Sequence, residues 1–150
     1  MRIFVEPLKE QMTQIEFIYN LDSYEKGLSL FLDKRYKNQK TMIFCDNREK
    51  SHKLSNSLWK NLGFYPNIIL SEKLSSDVQP SENFLIGSQF NKNFDELLIN
   101  VSGMECSFFS RYEKSVELVL KSDDEKASAR ERLKKLRDCG YEIKLIDAAN

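Results

Sequence analysis

The chain has 150 residues, 41% hydrophobic and 31% charged, with 23 lysines and arginines balancing 23 aspartates and glutamates. That size and balance suit one soluble domain with a substantial core, and nothing global argues for wrapping nucleic acid or lying on a membrane. The apolar runs fall far short of the roughly 20 residues of a membrane span, and the N-terminus lacks the basic-then-apolar order of a signal peptide, so a cytoplasmic protein is expected.

Three cysteines, Cys45, Cys106 and Cys139, are odd in number and widely spaced, which fits a reducing compartment better than a disulfide framework. His52 is the only histidine, so a zinc site would need an unusual ligand set. Neither a metal nor a cofactor is expected.

Residues 1–11, broken by Pro7, are expected to form an N-terminal extension, with a single α/β domain over 12–150. Ile15 to Tyr19 mixes apolar and polar residues as a first strand would. Asp22 and Glu25 have capping-box spacing ahead of a helix with Tyr24, Leu28, Phe31 and Leu32 on one face, closed by the polar Lys37-Asn38-Gln39-Lys40. Thr41 to Cys45 is a second strand. Asp46 and Glu49 repeat the capping spacing before a helix striped by Leu54, Leu58 and Leu62, with Gly63 as its stop.

Short strands are expected at Ile68 to Leu70 and Phe84 to Gly87, separated by a polar surface loop from Ser71 to Glu82. Asp95 to Ser102 contains an apolar run without alternation, the pattern of a strand buried on both faces at the middle of a sheet. A second core strand, Val116 to Leu120, follows the aromatic cluster Phe108, Phe109 and Tyr112. Ser122 with Glu125 opens a last helix that runs to Gly140, and Tyr141 to Ile146 closes the chain as a strand. Strands alternating with helices argue an α/β fold with a largely parallel or mixed sheet covered on both faces.

Such a sheet invites a nucleotide, but Gly27, Gly63, Gly87, Gly103 and Gly140 are the only glycines, and neither a dinucleotide fingerprint nor a Walker A loop can be written from them. Asp46 is better spent as a helix cap than on a metal or phosphate, and His52 reads as a surface residue. Two surfaces remain. Trp59 lies about 100° from the centre of its helix's leucine stripe, as either a rim tryptophan under a loop or an interface anchor continued by Phe64, Tyr65 and Pro66.

The last helix carries Lys126, Arg130, Arg132, Lys134, Lys135 and Arg137 against Glu131 alone. Lys126, Arg130, Leu133, Lys134 and Arg137 fall within an arc of about 100° bordering the buried stripe Ala129, Leu133 and Leu136, whereas Arg132 stands about 160° from Arg130. A basic rim beside an apolar residue suits an acidic peptide with a hydrophobic end. Taken alone, such a run more often marks a solvated face. Direct binding of single-stranded DNA is disfavoured by the zero net charge and by the lack of aromatics interleaved with these bases.

From Phe17 onward the chain resembles the chi subunit of bacterial DNA polymerase III. The matches are Phe17-Ile18-Tyr19, Ile43-Phe44-Cys45-Asp46, Leu58-Trp59, Phe64-Tyr65-Pro66, Leu98-Ile99-Asn100-Val101, the Phe109 to Val119 run, and Ala129-Arg130-Glu131-Arg132 before Gly140-Tyr141. The resemblance implies a Rossmann-like three-layer sandwich without a nucleotide-binding loop and without catalysis of its own. It implies an accessory subunit, a monomer within a heterodimer, that meets DNA only indirectly. Its partners would be the psi subunit of the clamp loader, at Trp59, Phe64 and Pro66, and the acidic C-terminal tail of the single-stranded-DNA-binding protein, at Lys126, Arg130, Leu133, Lys134 and Arg137. The chain departs from the family in having Leu133 where an aromatic often stands and Asn67 where histidine follows the proline. A nucleotide- or phosphate-using enzyme on the same kind of sheet is the competing expectation.

Overall fold

The computed structural model describes residues 12–34, 38–60, 65–70 and 82–149. The expected extension over residues 1–11, the cap at Gly63 and most of the loop beginning at Ser71 lie outside them, as do Leu62 and Phe64. Seven strands, β1 (Gln14–Leu21), β2 (Thr41–Phe44), β3 (Asn67–Ile69), β4 (Phe84–Gly87), β5 (Leu97–Asn100), β6 (Lys114–Leu120) and β7 (Ile143–Asp147), form one sheet in the order β3-β4-β2-β5-β6-β1-β7. Every pairing is parallel, so the sheet is wholly parallel. β5, the unalternating run of the sequence, is fourth of seven, and each of its residues is buried.

Three helices, α1 (Tyr24–Lys34), α2 (Arg48–Lys60) and α3 (Asp123–Asp138), cover the sheet. The period-2 alternation of β6 sends Val116 and Leu118 to one face and Glu117 and Val119 to the other. On the first face Ile18, Ile99 and Leu118 pack with Leu28 and Phe31 of α1 and with Leu54 and Leu58 of α2. α1 sits close to the strands at Gly27, where a Cβ would lie 2.7 Å from Leu21 Cδ1 and 3.0 Å from Leu118 Cδ1. The second face is divided. Met42, Leu85 and Leu98 lie under the aromatic segment of Phe94, Phe108 and Tyr112, while Ile15, Phe17 and Val119 lie under α3.

Two helix starts fall one residue later than the expected capping boxes. Ser23 Oγ, not Asp22, accepts from Lys26 N at 3.1 Å, and Asn47 Oδ1, not Asp46, accepts from Lys50 N at 2.9 Å. Ser and Asn reach the third amide as readily as Asp, and adjacent candidates cannot be separated by spacing alone. Asp22 instead pairs with Lys26 and Lys121 on the surface.

Candidate functional site

α3 begins where expected. Ser122 Oγ accepts from Glu125 N at 3.3 Å, and three acidic residues, Asp123, Asp124 and Glu125, fill the first turn, where the helix dipole favours them. Glu125 does not return its carboxylate to the cap. It accepts from Leu120 N at 3.1 Å and from the Tyr24 hydroxyl, which ties α3 to β6 and α1. Burial and that carboxylate hold the Tyr24 hydroxyl far above its ordinary ionisation range. The helix ends in a Schellman motif: Tyr141 N donates to Leu136 O and Gly140 N to Arg137 O, with Gly140 at φ 93°.

A cavity of about 270 Å³ lies between α3 and the sheet. Its floor comes from Phe17 and Tyr19 of β1, Val119 of β6 and Leu145 of β7, and its wall from Lys126, Ala129, Arg130 and Leu133. Three of the five residues expected on the basic arc, Lys126, Arg130 and Leu133, therefore come together at one cavity. Lys134 and Arg137 are exposed and do not line it. Lys134 is turned about 40° farther from the sheet than Arg130, and Arg137 stands about 10 Å farther along the axis. Among the described residues no carboxylate pairs with Lys126 or Arg130. The groove thus offers positive charge over an apolar floor, and the Asp147 carboxylate at the end of β7, held below its usual range chiefly by the Asn20 side-chain hydrogen bond, also feels the Lys126 charge.

The other side of α3 is built differently. A second cavity, of about 250 Å³, is lined there by Glu105, Cys106, Glu117, Arg132, Lys135 and Tyr141, among others. Arg132, one of the six bases of this helix, is buried: Nη2 donates to Glu117 Oε1 at 3.1 Å and Nη1 to Gly103 O at 3.0 Å and Ser128 Oγ at 2.8 Å. Asn100 Nδ2 reaches both Glu117 oxygens at 3.2 Å. Burial pushes the Glu117 carboxyl above the usual carboxylate range, opposed by the Arg132 guanidinium and the Asn100 amide. Lys135 is answered by Glu105 at 3.0 Å.

Sequence reasoning missed the floor of the groove and this pair. Each had a signal: Glu117 interrupts an apolar strand, Arg132 lies three residues after Ala129, and Leu145 shares a face of the last strand with Ile143. Trp59, at the end of α2, is 37% exposed, and Pro66 is half-buried. Phe64 lies outside the described residues. Tyr65 faces inward, its ring edge-on to Phe84 at 5.5 Å between centroids and its N–H donating to Leu58 O at 2.8 Å. Among the described residues no group of three or more His, Cys, Asp or Glu could hold a metal ion, and no helix is long and apolar enough to cross a membrane.

The all-parallel sheet with helices on both faces defines a Rossmann-like α/β protein. The C-terminal domain of the DEAD-box protein Dbp5 has a similar fold, with a TM-score of 0.59 over 95% of this chain and 93% of that one, at 13% identity. The particular family comes from sequence: the model of the DNA polymerase III chi subunit, HolC, matches residues 12–144, and the chain belongs to that family. No curated protein matches it in sequence.

Proposed function

We propose that this polymerase III subunit acts in DNA replication as a non-catalytic cytoplasmic adaptor. It joins the psi subunit of the clamp loader to the acidic C-terminal tail of the single-stranded-DNA-binding protein. One observation supports the tail site above all: Lys126 and Arg130, neither of them in a salt bridge among the described residues, flank a 270 Å³ cavity floored by Phe17, Tyr19, Val119 and Leu145. Such a volume takes one or two peptide residues, not a folded partner. An apolar terminal side chain enters the floor while its carboxylate meets the Arg130 guanidinium as a fork, and Lys126 adds charge. Leu133 supplies an aliphatic wall, and Lys134 and Arg137 extend the positive field beyond the cavity.

The psi subunit is proposed to bind at Trp59, Phe64 and Pro66. Titration of a labelled acidic peptide ending in phenylalanine tests the tail site, with saturable binding expected, and a pull-down from cell extract tests both partners. Absence of psi and of the single-stranded-DNA-binding protein from the pull-down would sink the adaptor. Millimolar ATP, GTP or NAD is expected to leave the melting temperature unmoved, whereas a ligand bound at 100 times its Kd would stabilise by about 2.7 kcal/mol and raise it.

A further inference from the structure

α3 has little apolar surface with which to hold a definite position on the sheet. Of its 16 residues only Ala129 and Arg132 are buried, whereas the 11 residues of α1 bury five. Burial of area is not directional, so a helix seated on so narrow a stripe turns about its axis at small cost in apolar contact. A guanidinium fork is directional. Arg132 reaches Glu117 on β6, Gly103 after β5 and Ser128 one turn back, and Glu117 is itself held by Asn100 at the end of β5.

We infer that Arg132 is a positioning residue: its buried pair with Glu117 sets the rotation of α3, and so the place of Arg130 and Lys126 over the groove. The inference rests on that groove being the tail site. Arg130 and Arg132 stand about 160° apart on the helix, so any turn that frees one displaces the other. On a helix about 10–12 Å across, a turn of about 20° moves a side chain by about 2 Å. Charge-assisted hydrogen bonds tolerate only a few tenths of an ångström. The pair also makes a poor simple stabiliser, since well-packed apolar residues of similar volume often replace buried ion pairs without loss of stability.

That replacement is the test. In Glu117→Leu combined with Arg132→Met, Gly103 O keeps the Ser128 hydroxyl at 3.1 Å and Asn100 keeps Met104 O at 2.7 Å. The double variant is expected to melt with the wild type but to bind the labelled acidic peptide about tenfold or more weakly, with a flatter salt dependence. In the free protein, NOEs from the Leu133 methyls to the Phe17 ring should change while those among Leu28, Phe31 and Leu118 persist. Arg132→Lys, which keeps the charge without the fork, should fall between the two. A folded double variant that binds within about twofold of wild type with unchanged Leu133 NOEs overturns the inference. If the double variant does not fold, unchanged affinity and NOEs in Arg132→Lys overturn it equally. Should the wild type fail to bind the peptide, the tail site falls, and the NOE comparison still decides whether the pair positions α3.

Discussion

The two sides of α3 carry matched cations and treat them in opposite ways. Toward the groove, Lys126 and Arg130 stand over Phe17, Tyr19 and Leu145 without a salt bridge among the described residues, and only the more distant Asp147 carboxylate feels Lys126. On the far side, Arg132 and Lys135 are answered by Glu117 and Glu105 at 3.1 Å and 3.0 Å. A run of six bases is therefore not a basic face. Two of its charges are consumed in holding the helix and its neighbouring loop, and the charge left for a partner is concentrated beside one apolar cavity. That asymmetry is what allows one helix to be both anchored and adhesive.

The largest expected effect breaks the far side. Arg132→Ala leaves Glu117 uncompensated under α3, and loss of one partner of a buried pair typically costs about 3–5 kcal/mol. Arg130→Ala removes an exposed side chain and should change stability by less than about 0.5 kcal/mol. Urea unfolding of the two variants separates them, and equal midpoints would mean that Arg132 is not buried as described.

Next in size is the groove side. Arg130→Ala should weaken the acidic peptide by about 2 kcal/mol or more, because a partly desolvated carboxylate loses its partner. Lys135→Ala, already neutralised by Glu105, is expected to leave peptide affinity almost unchanged, and it is a cleaner control than Arg132→Ala, which also disturbs the fold. Fluorescence anisotropy reads both, and equal losses would reduce the groove to a diffuse basic surface. Trp59→Ala should spare both sides of α3 while costing about 2 kcal/mol of psi affinity, the scale of a tryptophan hot spot. If it instead unfolds the domain, Trp59 belongs to the core.

How far the sequence disclosed this division follows from the physics of each part. β5 declared itself as a central strand because a run buried on both faces has no alternation to hide. The start and stop of α3 were legible because Ser122 and Gly140 act through local backbone geometry. The arc of Lys126, Arg130 and Leu133 was legible because angular position on a helix depends only on spacing. The floor of the groove was not, since Phe17, Val119 and Leu145 meet only through the pairing of β1 with both β6 and β7, a long-range event that spacing does not encode. Nor was the burial of Arg132, which depends on a carboxylate 15 residues earlier on a strand beneath it.

The far side can be sharpened by pH. Cys106 lines the second cavity, and burial pushes its thiol from 9.0 up to about 12, with Glu117 and Glu105 adding to the rise and a backbone hydrogen bond at Phe108 opposing it. A group whose folded pKa is raised contributes stability fully present below its unfolded pKa and lost as pH climbs toward the folded value. From pH 9 upward the unfolded thiol ionises while the folded one does not, so stability should fall by up to about 1.4 kcal/mol per pH unit. Tyr24 and Tyr112, both also raised from 10.0, add to the slope increasingly toward pH 10, so Cys106 dominates it only near pH 9. Cys106→Ala should flatten the slope there in urea titrations, and an unchanged slope would assign it to another group.

The smallest effect divides the groove side itself. Lys134 belongs to the same arc as Arg130 and is likewise exposed, but it stands outside the cavity that Arg130 lines. An exposed charge acts through water and is screened over about 10 Å at 0.1 M salt, so Lys134→Ala should cost the peptide only a few tenths of a kcal/mol at physiological ionic strength. Its effect belongs in the association rate, because a peripheral charge steers the approach of an acidic chain without holding it once seated. Stopped-flow measurements at 50 and 300 mM salt should show a lower association rate for Lys134→Ala at 50 mM, a difference that closes at 300 mM, and an unchanged dissociation rate. Arg130→Ala should instead raise the dissociation rate at both salt concentrations, because the bond it removes forms inside the cavity. If Lys134→Ala also raises the dissociation rate, the bound peptide extends past the cavity onto the outer face of α3.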